Sequence, residues 1–405
     1  MGETQMTILE ETNKNNKLWQ AAMLSSSHFL NDVFTSILSP LLPLLILNFS
    51  LSKFEAGMLA AFVSWPSITQ PIWGRLADKV NLQKYIFLFP FITATFMSLV
   101  GAAPNTIFLS VFLLVAGLSS ACFHAVAAPI AGKASGRSSG KGLSLWMIGG
   151  EMGFTVGPIL IIAFTNIFSL QKTPYLIILA AFAAIFLYFR LNRIDVIKNH
   201  TPAPQGSFKE SFKIVSPMMI PIILVAASRA MLQSATNVYI PTYLTEQGVD
   251  LWVAGTALSL IMGGGILGTI VGGIYKDRIG GKPVLLASLI GSTLFFFVFL
   301  FTTGILQIAT LLLTGIFSGV YLPVALSMIQ EYSPQNRSFA NGTYLASLFT
   351  IGAISNMVVG ALYDTYGSTQ SFLISGIISL LSIVFLFMVP KDEHENAVLK
   401  EECHD

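Results

Sequence analysis

Apolar runs long enough to cross a lipid bilayer recur along the whole chain and are separated by short polar breaks. Only 10% of the 405 residues are charged, against about 25% in a typical soluble protein. So few polar residues could not cover the surface of a soluble fold of this length. The sequence therefore predicts an all-α membrane protein with twelve transmembrane helices, at 19–48, 54–76, 84–103, 105–131, 141–168, 174–191, 214–245, 250–275, 283–303, 305–331, 338–362 and 369–389.

The basic residues are distributed unevenly between the polar breaks. If the N-terminus is cytoplasmic, the inside segments carry 19 Lys and Arg residues, whereas the outside loops carry only two, Lys53 and Lys172. Basic residues accumulate in the cytoplasmic loops of membrane proteins. The distribution therefore predicts an even number of spans with both termini in the cytoplasm. We expect a multi-pass protein of the cell membrane, which in a bacterium is the inner membrane.

One long polar segment, residues 192–213, divides the chain near its middle. Its proline, glycine and basic residues are typical of a solvated cytoplasmic linker. It separates a predicted N-terminal six-helix bundle, 19–191, from a predicted C-terminal six-helix bundle, 214–389. The polar ends, 1–18 and 390–405, are predicted to be cytoplasmic segments, and the first lacks the apolar core of a cleavable signal peptide.

The two halves repeat short motifs. Residues 74–79 read GRLADK at the end of the second span, and residues 273–278 read GIYKDR at the end of the eighth, 199 positions later. A second pair, GLSS at 117–120 and GIFS at 315–318, is 198 positions apart. Two landmarks at nearly the same offset indicate duplicated halves, which is how many secondary transporters are built.

These motifs resemble those of a known family. The pattern Gly-x-x-x-Asp-Lys/Arg after the second and eighth spans is similar to the loop signature of the major facilitator superfamily. The run GGEMGFTVGP at 149–158 resembles the Gly-rich fifth-helix motif of its antiporters. SHFLND at 27–32, followed by PLLP at 40–43, is similar to the first helix of the fosmidomycin-resistance type of efflux protein. The resemblance implies the major facilitator fold, with two pseudo-symmetric six-helix bundles, and a monomeric secondary transporter.

Few ionisable side chains fall well inside the predicted spans: His28, Asp32, His124, Glu151 and Arg229. A charged group at bilayer depth costs roughly 2.5–3.5 kcal/mol on insertion scales, so we expect these side chains to face a wet cavity or one another. His28 and Asp32 are four residues apart and share one helix face. We interpret Asp32 with His28 as a proton-coupling site and Glu151 as a second one. The alternative is that they form hydrogen-bonded pairs that only fix helix packing.

A second polar stripe lies in the seventh span, where Arg229, Gln233 and Asn237 recur at four-residue steps and share one helix face. The family resemblance implies that helices one, four, seven and ten line the transport cavity. We therefore predict substrate binding by these three residues, together with His124 and Asn31. Arg229 would bind an anionic group of the substrate or pair with Asp32. The alternative for His124 is a role in packing alone.

The motifs at the ends of the second and eighth spans are predicted to act in gating. The resemblance implies that their charged residues pair with basic residues of adjoining helices when the inner side is closed and separate when it opens. The alternative is that their charges only set the topology of the chain. The predicted gating residues are Gly74, Arg75, Asp78, Lys79, Gly273, Asp277 and Arg278.

Several other classes of function are disfavoured. Residues 263–268 match the Gly-x-Gly-x-x-Gly pattern of dinucleotide-binding proteins, but they lie inside an apolar span, where small residues favour close helix packing. The chain has no Gly-x-x-x-x-Gly-Lys-Ser/Thr motif, and its net charge of +2 with dispersed basic residues does not indicate nucleic-acid binding. We expect no bound metal and no cofactor.

The sequence thus predicts a transporter that moves a small organic solute or drug by alternating access and is driven by a proton gradient. Proton-coupled antiport, and hence efflux, is favoured by the resemblance of the fifth span to that of antiporters. One alternative is proton-coupled uptake of an organic anion or a metal chelate. A remote alternative is an intramembrane metal-dependent enzyme with His28, Asp32, His124 and Glu151 as ligands.

Overall fold

A computed structural model of the protein describes residues 2–134, 139–191, 208–333 and 337–390. All regular structure in these ranges is helical, which confirms the predicted fold class. The α-helices are α1 (Gly2–Thr35), α2 (Leu38–Phe49), α3 (Lys53–Ser64), α4 (Gln70–Lys79), α5 (Leu88–Leu99), α6 (Thr106–Ala134), α7 (Ser139–Phe168), α8 (Leu176–Leu191), α9 (Phe208–Ser234), α10 (Ile240–Glu246), α11 (Leu251–Ile279), α12 (Gly281–Leu300), α13 (Gly304–Tyr332), α14 (Arg337–Tyr366), α15 (Ser368–Ser379) and α16 (Leu381–Leu386).

Each of the twelve predicted spans coincides with helical structure. Ten stretches of the described chain, from Trp19–Phe49 to Ser368–Leu386, are long and apolar enough to cross a membrane. The other two predicted spans are interrupted helices. The second consists of α3, a 3₁₀ turn at Trp65–Thr69 and α4, and the third consists of α5 followed by a 3₁₀ turn at Val100–Ala102.

A short turn separates the third and fourth spans, as the sequence predicts. The side-chain oxygen of Asn105 accepts hydrogen bonds from the backbone N–H groups of Ile107 and Phe108, at 3.0 and 3.1 Å. Asparagine is a favoured residue at the N-terminal cap of a helix because it satisfies these otherwise unpaired donors. The cap fixes the start of α6 and keeps two adjacent apolar runs from forming one long helix.

The first and seventh spans are both broken just before a proline. In the first span, α1 and α2 meet at Ser36 and Ile37, because Pro40 has no N–H to donate to the carbonyl of Ser36. In the seventh span, a π-helical turn covers Ala235–Tyr239 and α10 begins immediately before Pro241. Such breaks commonly occur where the chain must place a functional side chain. The first break follows the polar residues His28 and Asp32, and the π-helical turn contains Asn237, the last residue of the polar stripe in the seventh span.

The chain divides into two compact units. The first comprises Met1–Ile37, Thr69–Gly157 and Phe164–Ala203. The second comprises Leu38–Ile68, Pro158–Ala163 and Pro204–Asp405, so that α2 and α3 belong with helices from the later part of the sequence. The units do not follow the two sequence halves, and the division into bundles at 19–191 and 214–389 stays a prediction.

Small residues bring two helices of the second unit close together. A Cβ atom added at Gly264 of α11 would lie 2.6 Å from the carbonyl oxygen of Leu312 of α13. One added at Gly268 would collide with the carbonyl group of Ile316, also of α13. These approaches are too close for a real Cβ atom, so the helices can cross here only because the positions are glycine. The glycine pattern at 263–268 is thus a helix-packing surface.

Candidate functional site

Three ionisable side chains meet in the interior of the first unit. His28 and Asp32 lie one turn apart on α1, are 6% and 3% exposed, and place His28 Nε2 3.0 Å from Asp32 Oδ2. His124 belongs to α6, and its Nε2 atom lies 3.1 Å from His28 Nε2 and 3.9 Å from Asp32 Oδ1. The structure therefore joins the predicted proton-coupling pair to a histidine for which the sequence left two roles open.

Backbone carbonyls determine which ring nitrogen of each histidine carries a hydrogen. His28 Nδ1 lies 2.8 Å from the carbonyl oxygen of Trp146, and His124 Nδ1 lies 2.8 Å from that of Ser120. A carbonyl oxygen only accepts hydrogen bonds, so both Nδ1 atoms donate. In a neutral imidazole the other nitrogen is then an acceptor. Both Nε2 atoms therefore direct lone pairs at each other and at the carboxylate of Asp32.

Converging acceptors of this kind attract positive charge. A proton held among them supplies the missing hydrogen-bond donor, and histidine exchanges protons within the physiological pH range when its surroundings permit. One nitrogen of each histidine and one oxygen of Asp32 all lie within 4.8 Å of one another, a spacing at which they could also bind a divalent metal ion. The cluster formed by His28, Asp32 and His124, called the His–Asp–His cluster below, can thus bind and release a cation inside the span.

Asn31 fixes the position of the carboxylate. Its side chain is fully buried, and Nδ2 donates to Asp32 Oδ1 at 2.8 Å and to Ser120 Oγ at 2.9 Å. Both amide hydrogens are therefore used, one within α1 and one between α1 and α6. The sequence analysis predicted substrate binding by Asn31, and the observed contacts suit a residue that orients Asp32.

Trp146 was not singled out from the sequence, although it covers one face of the cluster. Its indole stacks on the His28 imidazole, with ring centroids 3.8 Å apart and ring planes inclined by 17°. The ring of Phe123 lies 5.9 Å from that of His28. These aromatic rings limit the access of water to His28. The available signal was a single tryptophan in the glycine-rich fifth span, five residues before Glu151.

Glycines of α7 allow this helix to approach α1 beside the cluster. A Cβ atom added at Gly150 would lie 2.5 Å from His28 Cε1 and 2.8 Å from Asp32 Oδ2. One added at Gly153 would lie 2.8 Å from the carbonyl oxygen of Phe29. Glycine is therefore required at these positions for the observed packing. The Gly-rich motif of the fifth span is the contact surface for the first span.

Glu151 follows Gly150 on α7 and is half-buried. Among the described side chains, its carboxylate has no ion pair within 4.0 Å. It is nevertheless close enough to Asp32 and His28 for their charges to interact. The structure thus places both predicted proton-coupling carboxylates around the same histidine.

In the second unit, Arg229 is 7% exposed and lies over an aromatic ring. Its Cζ atom is 4.2 Å from the centroid of Tyr321. Nη1 donates to Gln233 Oε1 at 3.3 Å, and Nη2 donates to the carbonyl oxygen of Ser318 at 3.4 Å. No carboxylate among the described side chains forms an ion pair with it. Because a buried cation normally has an acidic partner, Arg229 can accept an anion from outside the chain.

Two tyrosines near Arg229 were missed by the sequence analysis. The hydroxyl of Tyr344 donates to that of Tyr321 at 3.3 Å, and the hydroxyl of Tyr321 donates to the carbonyl oxygen of Ile222 at 3.0 Å. Both side chains are buried, so this chain of hydrogen bonds holds the ring under Arg229 in one orientation. Nothing in the local sequence distinguishes these tyrosines from ordinary packing residues.

Asn237 lies in the π-helical turn of the seventh span and is half-buried. Its Oδ1 accepts a hydrogen bond from the hydroxyl of Thr236 at 3.3 Å. The contacts recorded for Arg229 therefore reach Gln233 but not Asn237. The turn was not predicted, because a four-residue polar spacing is compatible with an unbroken α-helix.

The predicted gating motifs are only partly described. The side chains of Arg75, Asp78 and Lys79 lie outside the described residues. A Cβ atom added at Gly74 or Gly273 would meet no other atom within 4 Å. Packing in this structure therefore does not explain why either motif begins with glycine.

The end of the second gating motif is exposed. Asp277 and Arg278 lie on the surface at the C-terminal end of α11. Their neighbour Lys276, which the sequence analysis did not select, forms an ion pair with Glu331 of α13. This pair ties the eighth and tenth spans together within the second unit.

A further polar cluster, not anticipated from the sequence, surrounds the start of α3. Lys53 Nζ lies 2.7 Å from Glu246 Oε1, and the hydroxyl of Tyr363 donates to Glu246 Oε2 at 2.6 Å. The backbone N–H groups of Lys53 and Phe54 donate to the two carboxylate oxygens of Asp364, each at 2.8 Å. Asp364 thus caps α3 from α14, at the end where the helix dipole favours negative charge. We call Lys53, Glu246, Tyr363 and Asp364 the Lys53 cluster.

The backbone around this cluster is also tightly joined. The hydroxyl of Tyr239 lies 2.9 Å from the carbonyl oxygen of Lys53 and 2.8 Å from that of Asn356. A Cβ atom added at Gly57 or Gly360 would collide with the backbone of the opposite helix. The cluster therefore attaches α3 to α10 and α14 inside the second unit.

Known proteins resemble this chain along nearly its whole length. The sequence profile of the Major Facilitator Superfamily matches residues 24–305 and 253–403. The fosmidomycin resistance protein of Escherichia coli is 26% identical over 393 residues, which cover 92% of this chain and 93% of the relative. The multidrug resistance protein MdtG of Enterobacter lignolyticus is 23% identical and covers 88% of each chain. A crystal structure of a bacterial homolog of the human lysosomal transporter Spinster, inward-facing and occupied, is similar with a TM-score of 0.75 at 15% identity, covering 93% and 97% of the two chains.

Proposed function

Since the chain belongs to the Major Facilitator Superfamily, and is therefore a multi-pass secondary transporter and not an enzyme, we propose that it exports a small organic solute or drug in exchange for protons. The direction is supported by two relatives named for resistance to fosmidomycin and to multiple drugs. It is also supported by the Gly-rich surface of α7, which resembles that of antiporters. We place the protein in the bacterial inner membrane, with both termini in the cytoplasm, and expect it to act as a monomer.

The observation that carries the coupling is the His–Asp–His cluster. Asp32 is almost completely buried inside a membrane-spanning helix, and a carboxylate there is stable only with a proton or a cationic partner. His28 is in direct contact with it at 3.0 Å. A proton from outside would neutralise this site, and its departure to the cytoplasm would restore the charge. Glu151, half-buried on α7, is the second proposed proton site.

The proton gradient supplies enough free energy for this role. One proton moving down about 150 mV releases roughly 3.5 kcal/mol. That amount supports a concentration ratio of a few hundredfold for a neutral solute. The family architecture provides the motion, in which two six-helix bundles rock about a central site and expose it to each side in turn. No nucleotide or other cofactor is needed.

Closure of one side is supported by the Lys53 cluster. It joins α3 to α10 and α14 through one ion pair and several hydrogen bonds. Lys53 is predicted to lie outside the cell, so these contacts would close the outer side and would have to separate for release of solute. The motifs at 74–79 and 273–278 are proposed to do the same on the cytoplasmic side.

Solute binding is proposed for the polar stripe of the seventh span. Arg229 offers a buried cation held over Tyr321, with Gln233 beside it. Asn237 and His124 are proposed to contribute further polar contacts. This arrangement suits a solute that carries an acidic group.

The proposal is tested with purified protein in liposomes that contain a pH-sensitive dye. Fosmidomycin is the first probe, because a relative is named for resistance to it. We expect proton movement when the probe is added to one side, and we expect Asp32→Asn to abolish this movement. Asp250→Asn is the matched control, because it makes the same change at an exposed helix cap that asparagine also satisfies. Probe transport without proton movement would refute the coupling.

Proton-coupled uptake of an organic anion or a metal chelate is the second candidate function. The specific observation in its favour is Arg229, which has no acidic partner among the described side chains. Cells that express the protein distinguish the two directions. Export lowers the sensitivity of the cells to a toxic solute, whereas uptake raises it.

A further inference from the structure

The His–Asp–His cluster cannot satisfy its own hydrogen-bonding groups when both histidines are neutral. The carbonyls of Trp146 and Ser120 hold a hydrogen on each Nδ1 atom, so neither Nε2 atom carries one. The two Nε2 atoms would then face each other at 3.1 Å with no hydrogen between them. The Asp32 carboxylate would face one of them at 3.0 Å in the same way. Buried acceptors without a donor are strongly disfavoured.

One added proton removes this conflict, and its position matters. On His28 Nε2 it lies within hydrogen-bond distance of both Asp32 Oδ2 and His124 Nε2, at 3.0 and 3.1 Å. On His124 Nε2 it would reach His28 but leave Asp32 Oδ2 facing a bare nitrogen. On Asp32 it would leave the two nitrogens without a hydrogen between them. His28 is therefore the position from which a single proton serves all three groups.

A second proton is not compatible with the same geometry. On His124 it would place positive charges on two rings whose Nε2 atoms are 3.1 Å apart. On Asp32 it would oppose an existing N–H donor, because Oδ1 accepts from Asn31 and Oδ2 faces the N–H of His28 at 3.0 Å. His28 and His124 would have to separate before both could be charged. Because His28 belongs to α1 and His124 to α6, binding of a further proton is tied to movement of one helix against the other.

His124 is the member of the cluster through which protons can enter. Its side chain is 21% exposed, whereas those of His28 and Asp32 are 7% and 4% exposed. His28 is also covered by the indole of Trp146. A proton that arrives from water therefore meets His124 Nε2 first and reaches His28 across the 3.1 Å contact.

Among the described side chains of the helices packed on α1, one further group interacts with the cluster through its charge. Glu151 of α7 interacts with the cluster through its charge. α5 contains no ionisable residue. On α8, Tyr188 contacts the ring of Phe87, and Arg190 lies over the ring of Phe186. The charge balance of the site is therefore set by His28, Asp32, His124 and Glu151.

We propose that His28, Asp32 and His124 form one proton-binding unit, which rests with a single proton centred on His28 Nε2 and exchanges protons with water through His124. This inference rests on the proposed proton-coupled function and adds to it the resting state and the route. In the exchange step, the N–H bond of His28 breaks as the proton passes to His124 Nε2, which then releases it to water. Asn31 keeps Asp32 aligned throughout by its hydrogen bond at 2.8 Å.

The resting state is tested by nitrogen-15 NMR of histidine-labelled protein in lipid nanodiscs at neutral pH, without solute. The chain has only five histidines, and the signals are assigned from His28→Gln and His124→Gln. We expect His28 with both ring nitrogens protonated and His124 neutral with its hydrogen on Nδ1. In Asp32→Asn we expect His28 to become neutral. His394→Gln, outside the spans, is the control and should change neither signal.

Two results would overturn the resting state: a neutral His28 in the wild type, or a transition metal bound in stoichiometric amount. The route is tested by transport in His124→Gln, which should lower the ratio of proton-driven transport to solute exchange without a gradient by about tenfold or more. Equal proton-driven transport in wild type and His124→Gln would refute the route. A protonated His28 in a protein that moves no protons with any solute would instead refute the proposed function.

Discussion

The buried guanidinium of Arg229 shows how a single residue can be kept for function at a cost to stability. Its described hydrogen-bond acceptors, Gln233 and the carbonyl of Ser318, are uncharged and lie at 3.3 and 3.4 Å. The ring of Tyr321 provides some favourable interaction with the cation. A neutral ring and two long hydrogen bonds do not replace a carboxylate. Binding of an anionic solute is therefore expected to stabilise the buried guanidinium and, with it, the folded protein.

This view predicts that Arg229→Gln stabilises the empty protein while it abolishes solute binding. Removal of a buried charge without a partner should raise the free energy of unfolding by about 1 kcal/mol. The melting temperature of purified protein should therefore rise by about 1 °C, given the length of 405 residues. Arg190→Gln is the control, because Arg190 also lies over an aromatic ring but is less buried. A lower melting temperature for Arg229→Gln would show that the arginine has a structural role.

The sequence was sufficient to find the ionisable residues but not all of their partners. A four-residue spacing on one helix predicts contact between His28 and Asp32, and the two are 3.0 Å apart. His124 lies 96 positions from His28, and no local pattern predicts that contact. Trp146 and Tyr321 were missed for the same reason. Their roles arise from tertiary packing, and in isolation they resemble ordinary apolar residues of a span.

At the scale of helices, the contact between α1 and α7 depends on glycine. Gly150→Ala would bring a Cβ atom to 2.5 Å from His28 Cε1, so either the His28 ring or α7 must move. We expect a destabilisation of about 1–3 kcal/mol and a loss of proton-coupled transport. The measurements are the melting temperature and the proton movement of the variant in liposomes.

Gly352→Ala is the matched control for this substitution. Gly352 also lies within a long helix, α14, and is half-buried where Gly150 is buried, and a Cβ atom added there meets nothing within 4 Å. Alanine should be neutral or stabilise the helix by about 0.5–1 kcal/mol. If Gly150→Ala behaved like Gly352→Ala, close packing of α7 on α1 would not be essential to the site.

The Lys53 cluster predicts a measurable energetic coupling between α3 and α10. Lys53→Glu and Glu246→Lys should each lower the melting temperature, and the double variant should recover most of the loss. The coupling energy should be no more than about 1 kcal/mol, because both side chains are partly exposed to solvent. Lys172→Glu, at the other basic residue predicted to lie outside, should have no such coupling with Glu246→Lys. Additive effects of the first two substitutions would show that the ion pair does not hold these helices together.

The positions of the breaks in the first and seventh spans were predictable from the sequence. Pro40 and Pro241 are visible in the sequence, and proline removes a backbone donor from a helix. What the sequence does not reveal is the form of each break. In the first span a new helix begins at Leu38, whereas in the seventh span a π-helical turn at Ala235–Tyr239 precedes the proline. The choice depends on the packing of neighbouring helices.

At the scale of the whole molecule, hydropathy was sufficient to predict the twelve spans and the all-helical fold. The compact units were not predictable in the same way. Leu38–Ile68 belongs to the unit that contains most of the later sequence, because α3 packs on α14 and is capped by Asp364. These contacts join residues more than three hundred positions apart, as in the 311-residue separation of Lys53 and Asp364. No periodicity or local composition carries that information.

Coupling of solute movement to protons through Asp32 is tested most directly by two transport modes of the same purified protein. Liposomes that contain wild-type protein or Asp32→Asn are given labelled fosmidomycin. Accumulation is measured with a pH gradient across the membrane. Exchange is measured with unlabelled fosmidomycin inside and equal pH on both sides. We predict that wild type performs both accumulation and exchange. Asp32→Asn should lose accumulation driven by the gradient but retain exchange. Gradient-driven accumulation by Asp32→Asn equal to that of wild type would contradict proton coupling through this residue.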